Sequence, residues 1–276
     1  MKFLPLFWLV LLFFLPSCNI FNPDEEIPAY IHIDKIRVEG ESNTLRLTDA
    51  WVYCNEELIG VFEMPVTVPV LYSNTTTVKI KAGIKANGLS AVRQPYPFYN
   101  KYETTVELVP KQTLIINPVV SYKTSYPVRW EEKFESLAIG IESTSISDTN
   151  ILISNTNPYD GGHCGLVKID SARKSYEGMS VNSYTFEKGL PAFLEIHYKS
   201  DIGFWCGIFV NENGGTAAPI VYIYKSEEWN KMYIDVGSTF TSYPKSDLFK
   251  VFFSASLSGL TRTNAYFCLD NIKLIY

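Results

Sequence analysis

From residue 29 to about residue 126, apolar and polar positions alternate in short runs. Between Tyr30 and Val38 the apolar set is Ile31 and Ile33, then, after a one-residue slip at Asp34, Ile36 and Val38. Ala50, Trp51, Val52, Tyr53 and Cys54 follow, then a polar turn at Asn55, Glu56 and Glu57, then Leu58, Ile59, Gly60, Val61 and Phe62. Two such runs about a short polar turn predict a hairpin. Residues 66–71, 75–82 and 103–109 continue the pattern, with Pro65, Pro69 and Pro110 as breakers. No stretch sustains a 3.6-residue period. A β-sandwich of about 95 residues is expected here.

Residues 121–132 read as a junction. Beyond it strands resume at larger spacing, at 150–154, 165–169, 192–200, 204–210 and 220–224. In the third of these, Leu194, Ile196 and Tyr198 share one face, and Glu195, His197 and Lys199 share the other. Met232, Ile234 and Val236 alternate next, then Phe249, Val251, Phe253, Ala255 and Leu257, and finally residues 267–275. A closing terminal strand fits a two-sheet jelly roll. The fold class expected is therefore all-β, two β-sandwich domains in tandem, the second a jelly roll.

Composition supports packed cores. Hydrophobic residues make up 46%, aromatics 14% and charged residues 19% of the chain. A net charge of −5 offers no basic stripe to replace phosphate counterions, which argues against nucleic acid. Cys54, Cys164, Cys206 and Cys268 show no CxxC spacing, and buried unpaired thiols are favoured over bridges. Which of them pair stays open.

The first eighteen residues have another character. Lys2 precedes an almost wholly apolar run over residues 3–15, and Ser17 sits directly before Cys18. The run is far short of a spanning helix, which needs ~20 residues, and its features are those of a secretory signal. Residues 15–18 resemble a bacterial lipoprotein signal, with Pro16 a departure from the usual residue. The resemblance implies cleavage before Cys18, acylation of Cys18 (including a palmitate-type chain) and attachment to a lipid bilayer. Residues 19–28 then form a tether, and the acidic group Asp24, Glu25 and Glu26 resembles the export signals of Bacteroidota surface lipoproteins. The expected organisation is a lipoprotein signal peptide at 1–17, an acidic tether at 18–28, an Ig- or PEGA-like sandwich at 29–126 and a jelly roll at 127–276. An outer-membrane, lipid-anchored location follows, with the periplasmic or surface face open.

Val52 to Gly60, followed by Met64 and Pro65, resembles the PEGA-type repeat of small extracytoplasmic β modules, although Glu56 stands where that repeat has a turn glycine. The resemblance implies a spacer or an envelope-binding module. The second half is similar to galactose-binding-like carbohydrate-binding modules at three places: Phe134-Glu135, the strand pair 194–200 and 204–209, and Leu269-Asp270-Asn271-Ile272-Lys273-Leu274. That likeness implies a structural Ca²⁺ held by Glu135 and Asp270, with no other cofactor. The alternative for Asp270 is a turn cap.

Two surfaces are candidates for binding. The proline-pinned segment with Arg93, Tyr96, Phe98 and Tyr99 has the composition of a partner contact, or else its rings cover the sandwich core. Trp205, Tyr222, Tyr224 and Trp229 could stack on a sugar's apolar face. Trp229 is expected in a polar loop and leads that set. Glu131 and Glu132 are adjacent on a strand and point to opposite faces, so they do not make a glycosidase pair and read as a solvated edge. His163 and Cys164 lack an orienting third group, and His32 and His197 lack metal spacing. The expected function is a membrane-anchored, non-enzymatic envelope protein that binds or assembles with an envelope protein complex. Glycan binding by the jelly roll is the alternative, and a hydrolase the remote one.

Overall fold

The computed structural model describes residues 25–41, 46–72, 74–211 and 215–276. The expected signal peptide and Cys18 lie outside the described residues. The first half contains β1 (Ala29–Ile33), β2 (Arg37–Val38), β3 (Asp49–Cys54), β4 (Glu57–Glu63), β5 (Val66–Val70), β6 (Asn74–Lys85), β7 (Arg93–Pro95), β8 (Tyr102–Leu108), β9 (Thr113–Ile115) and β10 (Val119–Val120). One sheet runs β4-β3-β6-β7, with β8 also paired to β6; β5-β1-β9 and β10-β2 form smaller sheets. Ile31, Ile33, Val68 and Val70 from the smaller sheets meet Val52, Cys54, Val78 and Ile80 from the larger one in a shared core.

The β3–β4 hairpin turns on Asn55 and Glu56, both with positive φ (46° and 71°). Two positive φ values are what a two-residue turn between twisted strands requires. Asn55 Oδ1 accepts from Thr77 N at 3.0 Å, and the Glu56 carboxylate pairs with Lys79. Those contacts offset the strain of a non-glycine turn.

The second half contains β11 (Val128–Glu132), β12 (Ile141–Ser143), β13 (Ile151–Ser154), β14 (Cys164–Asp170), β15 (Ser175–Ser180), β16 (Phe193–Ser200), β17 (Phe204–Val210), β18 (Thr216–Ile223), β19 (Ser226–Asp235), α1 (Val236–Thr241), β20 (Phe249–Ser256) and β21 (Asn264–Ile275). One sheet runs β13-β14-β21-β16-β19, with β11 on β21, and the other runs β12-β15-β20-β17-β18. Leu194, Ile196 and Tyr198 face inward as the alternation predicted, against Ile208, Val251 and Phe253 from the opposite sheet. Phe204 and Phe267 stack at 4.6 Å between the layers. The protein is all-β, and its second half is a jelly-roll sandwich.

Among the described residues, strand pairing stays within each half, so the halves meet through side chains. Phe193, Tyr233 and Ile275 project from the second half into the core of the first. Tyr96 sets its ring edge-on to Phe193 at 5.5 Å and to Tyr233 at 4.9 Å, and Phe98 packs on Tyr126 at 5.0 Å. The expectation of an outside partner at Tyr96, Phe98 and Tyr99 is corrected here. All three rings are buried, and what they contact is the other half of the same chain. Arg93 is also engaged locally, with Glu63 at 2.9 Å and with buried Asp49.

Candidate functional site

The outer face of the β12-β15-β20-β17-β18 sheet carries a row of exposed rings. Trp205 on β17 and Tyr222 on β18 are directly opposite in the antiparallel register, and Tyr224 follows just past the end of β18. Their side chains lie on the face away from the core, because the alternate residues Phe204, Cys206 and Ile223 fill it. Trp205 is 43% exposed, Tyr222 39% and Tyr224 76%. Tyr224 is mostly open, and Trp205 and Tyr222 each keep part of the ring free of protein. Ring centroids are 5.1 Å apart for Trp205–Tyr222 and 5.4 Å for Tyr222–Tyr224, both edge-to-face. Mutual edge contacts stiffen the row at small entropic cost. Gly203 makes the Tyr222 position possible, since a Cβ there would lie 2.2 Å from the Tyr222 hydroxyl.

Tyr222 and Tyr224 also line a cleft of about 470 Å³ formed with the first half. Its polar wall includes Arg46, Asn87 and Asn230. Arg46 Nε donates to Asn230 Oδ1 at 2.5 Å, and Asn230 Nδ2 donates to the Tyr198 hydroxyl at 3.2 Å. The cleft thus places amide and guanidinium groups beside apolar ring faces. That is the pairing a ligand with both hydroxyls and C–H faces requires.

Trp229 is placed differently from the expectation. It lies within edge strand β19 rather than in a loop. Its Nε1 donates to Asn157 O at 3.0 Å, and its ring meets Tyr159 edge-on at 5.9 Å. These contacts hold the 155–163 segment against the sheet, so Trp229 stands apart from the Trp205 row.

The carboxylates expected to bind calcium hold the same segment. Glu135 Oε1 accepts from Gly162 N and His163 N at 2.7 and 2.9 Å, while Oε2 lies 3.1 Å from His163 Nδ1. Asp270 accepts from Tyr159 N at 3.0 Å, Asp160 N at 3.3 Å and Asn271 N at 2.7 Å. Ca²⁺ takes six to eight oxygen ligands, and these oxygens are already committed to backbone N–H groups and to the His163 ring. Among the described residues no group of three His, Cys, Asp or Glu could hold a metal. The donor set does not fit calcium, and Glu135 and Asp270 are loop clamps.

Glu132 is a further correction. It is buried rather than on a solvated edge, accepting from Phe134 N at 2.7 Å and Gly140 N at 2.6 Å. Glu131 beside it is exposed and pairs with Lys133.

Sequence reasoning missed the charged centre at the junction of the halves. Glu195 accepts from the Tyr96 hydroxyl at 2.6 Å and the Tyr122 hydroxyl at 2.8 Å, and pairs with Lys231 at 2.8 Å. Glu41 adds contacts to Lys231 at 3.4 Å and Lys273 at 3.5 Å. Burial alone would raise the Glu195 pKa, but Lys231 and Lys273 hold it below the usual carboxylate value. Burial likewise pulls on the Lys231 ammonium, and Glu195 more than reverses that pull. The pair sits in the second half, and Tyr96, Tyr122 and Glu41 extend its network into the first.

Fold and site together define an all-β protein with a jelly-roll sandwich and an aromatic outer face. No protein-family model and no curated protein matches the chain. Solved structures to which it is similar include carbohydrate-binding modules. A xylan-binding domain of family 22 is 14% identical, covering 53% of this chain and 93% of its own, with a TM-score of 0.36. The C-terminal family 22 module of Clostridium thermocellum Xyn10B is 12% identical over 53% of this chain and 92% of its own, with a TM-score of 0.35. The module TmCBM61, solved with β-1,4-galactotriose, is 13% identical over 51% and 89%, with a TM-score of 0.32.

Proposed function

We propose that this protein binds a glycan through the row Trp205, Tyr222 and Tyr224 and the cleft it borders, and that an acylated Cys18 displays it on the outer membrane. The observation that carries the glycan reading is the row itself. Three adjacent rings are exposed on a rigid sheet face beside guanidinium and amide groups. Sugars offer an apolar C–H face for stacking and hydroxyls for those polar groups. The anchoring part rests on the sequence alone, on Ser17 before Cys18 and the short apolar run ahead of them.

The test is retention of the chain from Cys18 onward on immobilised polysaccharides, beginning with xylan and β-1,4-galactan. Binding is then measured by calorimetry for the Trp205→Ala and Tyr222→Ala chains. Each stacked ring removed should weaken binding by about tenfold, the effect of losing roughly 1.4 kcal/mol. Failure of the intact chain to bind any polysaccharide, or unchanged affinity in the double variant, would refute the reading.

A further inference from the structure

The outer face of the other sheet holds two thiols side by side. Cys164 opens β14 and Cys268 lies within β21. In their antiparallel register Leu166 faces Cys268. Cys164, two residues from Leu166, therefore lies on the same face, diagonal to Cys268. Val167 and Ile169 of β14, and Phe267 and Leu269 of β21, take the alternate positions and fill the core. The thiol groups interact directly: the hydrogen bond with Cys268 draws the Cys164 pKa below the ordinary thiol value, and the same contact raises that of Cys268.

Cys54 and Cys206 have no such neighbour. They lie in separate cores, one in each half, and burial raises both thiol pKa values. Cys268, in contrast, lines a surface pocket of about 250 Å³ together with Asn157, Lys168, Lys199 and Tyr266. A small disulfide would reach Cys268 through this pocket, with Cys164, which has no exposed surface, behind it to resolve the mixed disulfide; neither core thiol lines it.

We propose that Cys164 and Cys268 form a redox-closable pair, converted to an intrachain disulfide by a small-molecule disulfide such as oxidised glutathione. A protein thiolate attacks the donor's S–S bond and expels one thiolate, leaving a mixed disulfide. The second protein thiolate then attacks that bond and expels the other. The two cysteines are oxidised, the donor is reduced to two thiols, and the two cysteine protons end on them. Closure would fasten the start of β14, and with it the segment clamped by Glu135, Asp270 and Trp229, to the central strand β21.

The experiment takes the folded chain carrying Cys18→Ser, so that no fifth thiol competes, fully reduced, and exposes it to oxidised glutathione under native conditions. Intact mass and a non-reducing peptide map are then recorded. The expected result is a loss of two hydrogens, one cross-linked peptide joining Cys164 to Cys268, and alkylation of Cys54 and Cys206 only after unfolding. The Cys54→Ala chain should close equally well, and the Cys164→Ser chain should not close. Two free thiols after prolonged exposure, a glutathione adduct that never resolves, or a bond to any other cysteine would overturn the proposal.

Discussion

Replacing Glu195 by alanine should cost far more than an ordinary polar substitution, because it removes the centre of a buried network linking the halves. Glu195 has no exposed surface, and the Lys231 side chain is 1% exposed. Without Glu195 the Lys231 ammonium keeps Glu41, at 3.4 Å, as its carboxylate partner among the described residues. The Tyr96 hydroxyl loses its carboxylate acceptor, and Tyr122 is left with Glu41 at 3.2 Å. Breaking one side of a buried ion pair costs about 3–5 kcal/mol, and hydrogen bonds to a charged group contribute roughly 1.5–3 kcal/mol each. Since these contributions overlap, the expected loss is about 4 kcal/mol. It should be read from urea unfolding at pH 7, followed by both tryptophan fluorescence and circular dichroism. The variant should also split one transition into two, since the network joins the halves. Replacing Glu195 by leucine and Lys231 by methionine together should recover much of the loss, because neither charge is then left buried alone. A Glu195→Ala chain within 1 kcal/mol of the parent, or a double variant worse than the single one, would refute the reasoning.

Two stability predictions accompany those on glycan stacking and on disulfide closure. Burial pulls the His197 pKa down to about 2, so below the unfolded value of ~6.5 only the unfolded chain takes up that proton, and acid destabilises the fold. Burial pushes the Asp270 pKa up to about 6, so between pH 6 and ~4 the folded chain holds a proton the unfolded chain has lost, and acid stabilises it. The two slopes oppose, and the parent should change little between pH 6 and 4.5. The His197→Phe chain should gain roughly 1.4 kcal/mol for each pH unit of acidification in that window. Urea midpoints against pH check this, and parallel curves would refute it. Gly207→Ala should lower stability by about 1–3 kcal/mol, measured the same way, because a Cβ there would sit 2.3 Å from the Ala218 carbonyl oxygen. An unchanged midpoint would show that β17 and β18 can part without cost.

The alternation on β16 shows what the sequence carries and what it lacks. The inward set Leu194, Ile196 and Tyr198 was legible because period two and apolar side chains are local properties. The opposite set, Glu195, His197 and Lys199, reads as a wet face, yet Glu195 and His197 are buried. What covers Glu195 comes from residues 73 to 99 positions away in the chain, and no local pattern encodes a cover so remote. The same reason hides the fate of Tyr96 and Phe98, whose irregular backbone was readable and whose contacts were not. Trp229 was misplaced for another cause. Edge strands carry charged residues to discourage further pairing, so Ser226, Glu227 and Glu228 on β19 look like a loop. Glu135 and Asp270 were singled out as calcium ligands, and they hold loop backbone instead. Their bonds to backbone N–H groups depend on how the 155–163 segment folds back, which composition does not show.

The placement of β21 sets a timetable for the protein's birth. This strand lies between β14 and β16 and also receives β11, so the sheet to which all three belong has no middle until residue 275 has been made. Strands emerging earlier must wait with their pairing edges open while the intervening residues are synthesised, at roughly 5–20 residues per second. The first half can assemble its own sheets sooner, yet Ile275 also belongs to its core, so it too is finished only by the end of that strand. A folding helper or an export machine that meets this chain during synthesis would find the second half still open.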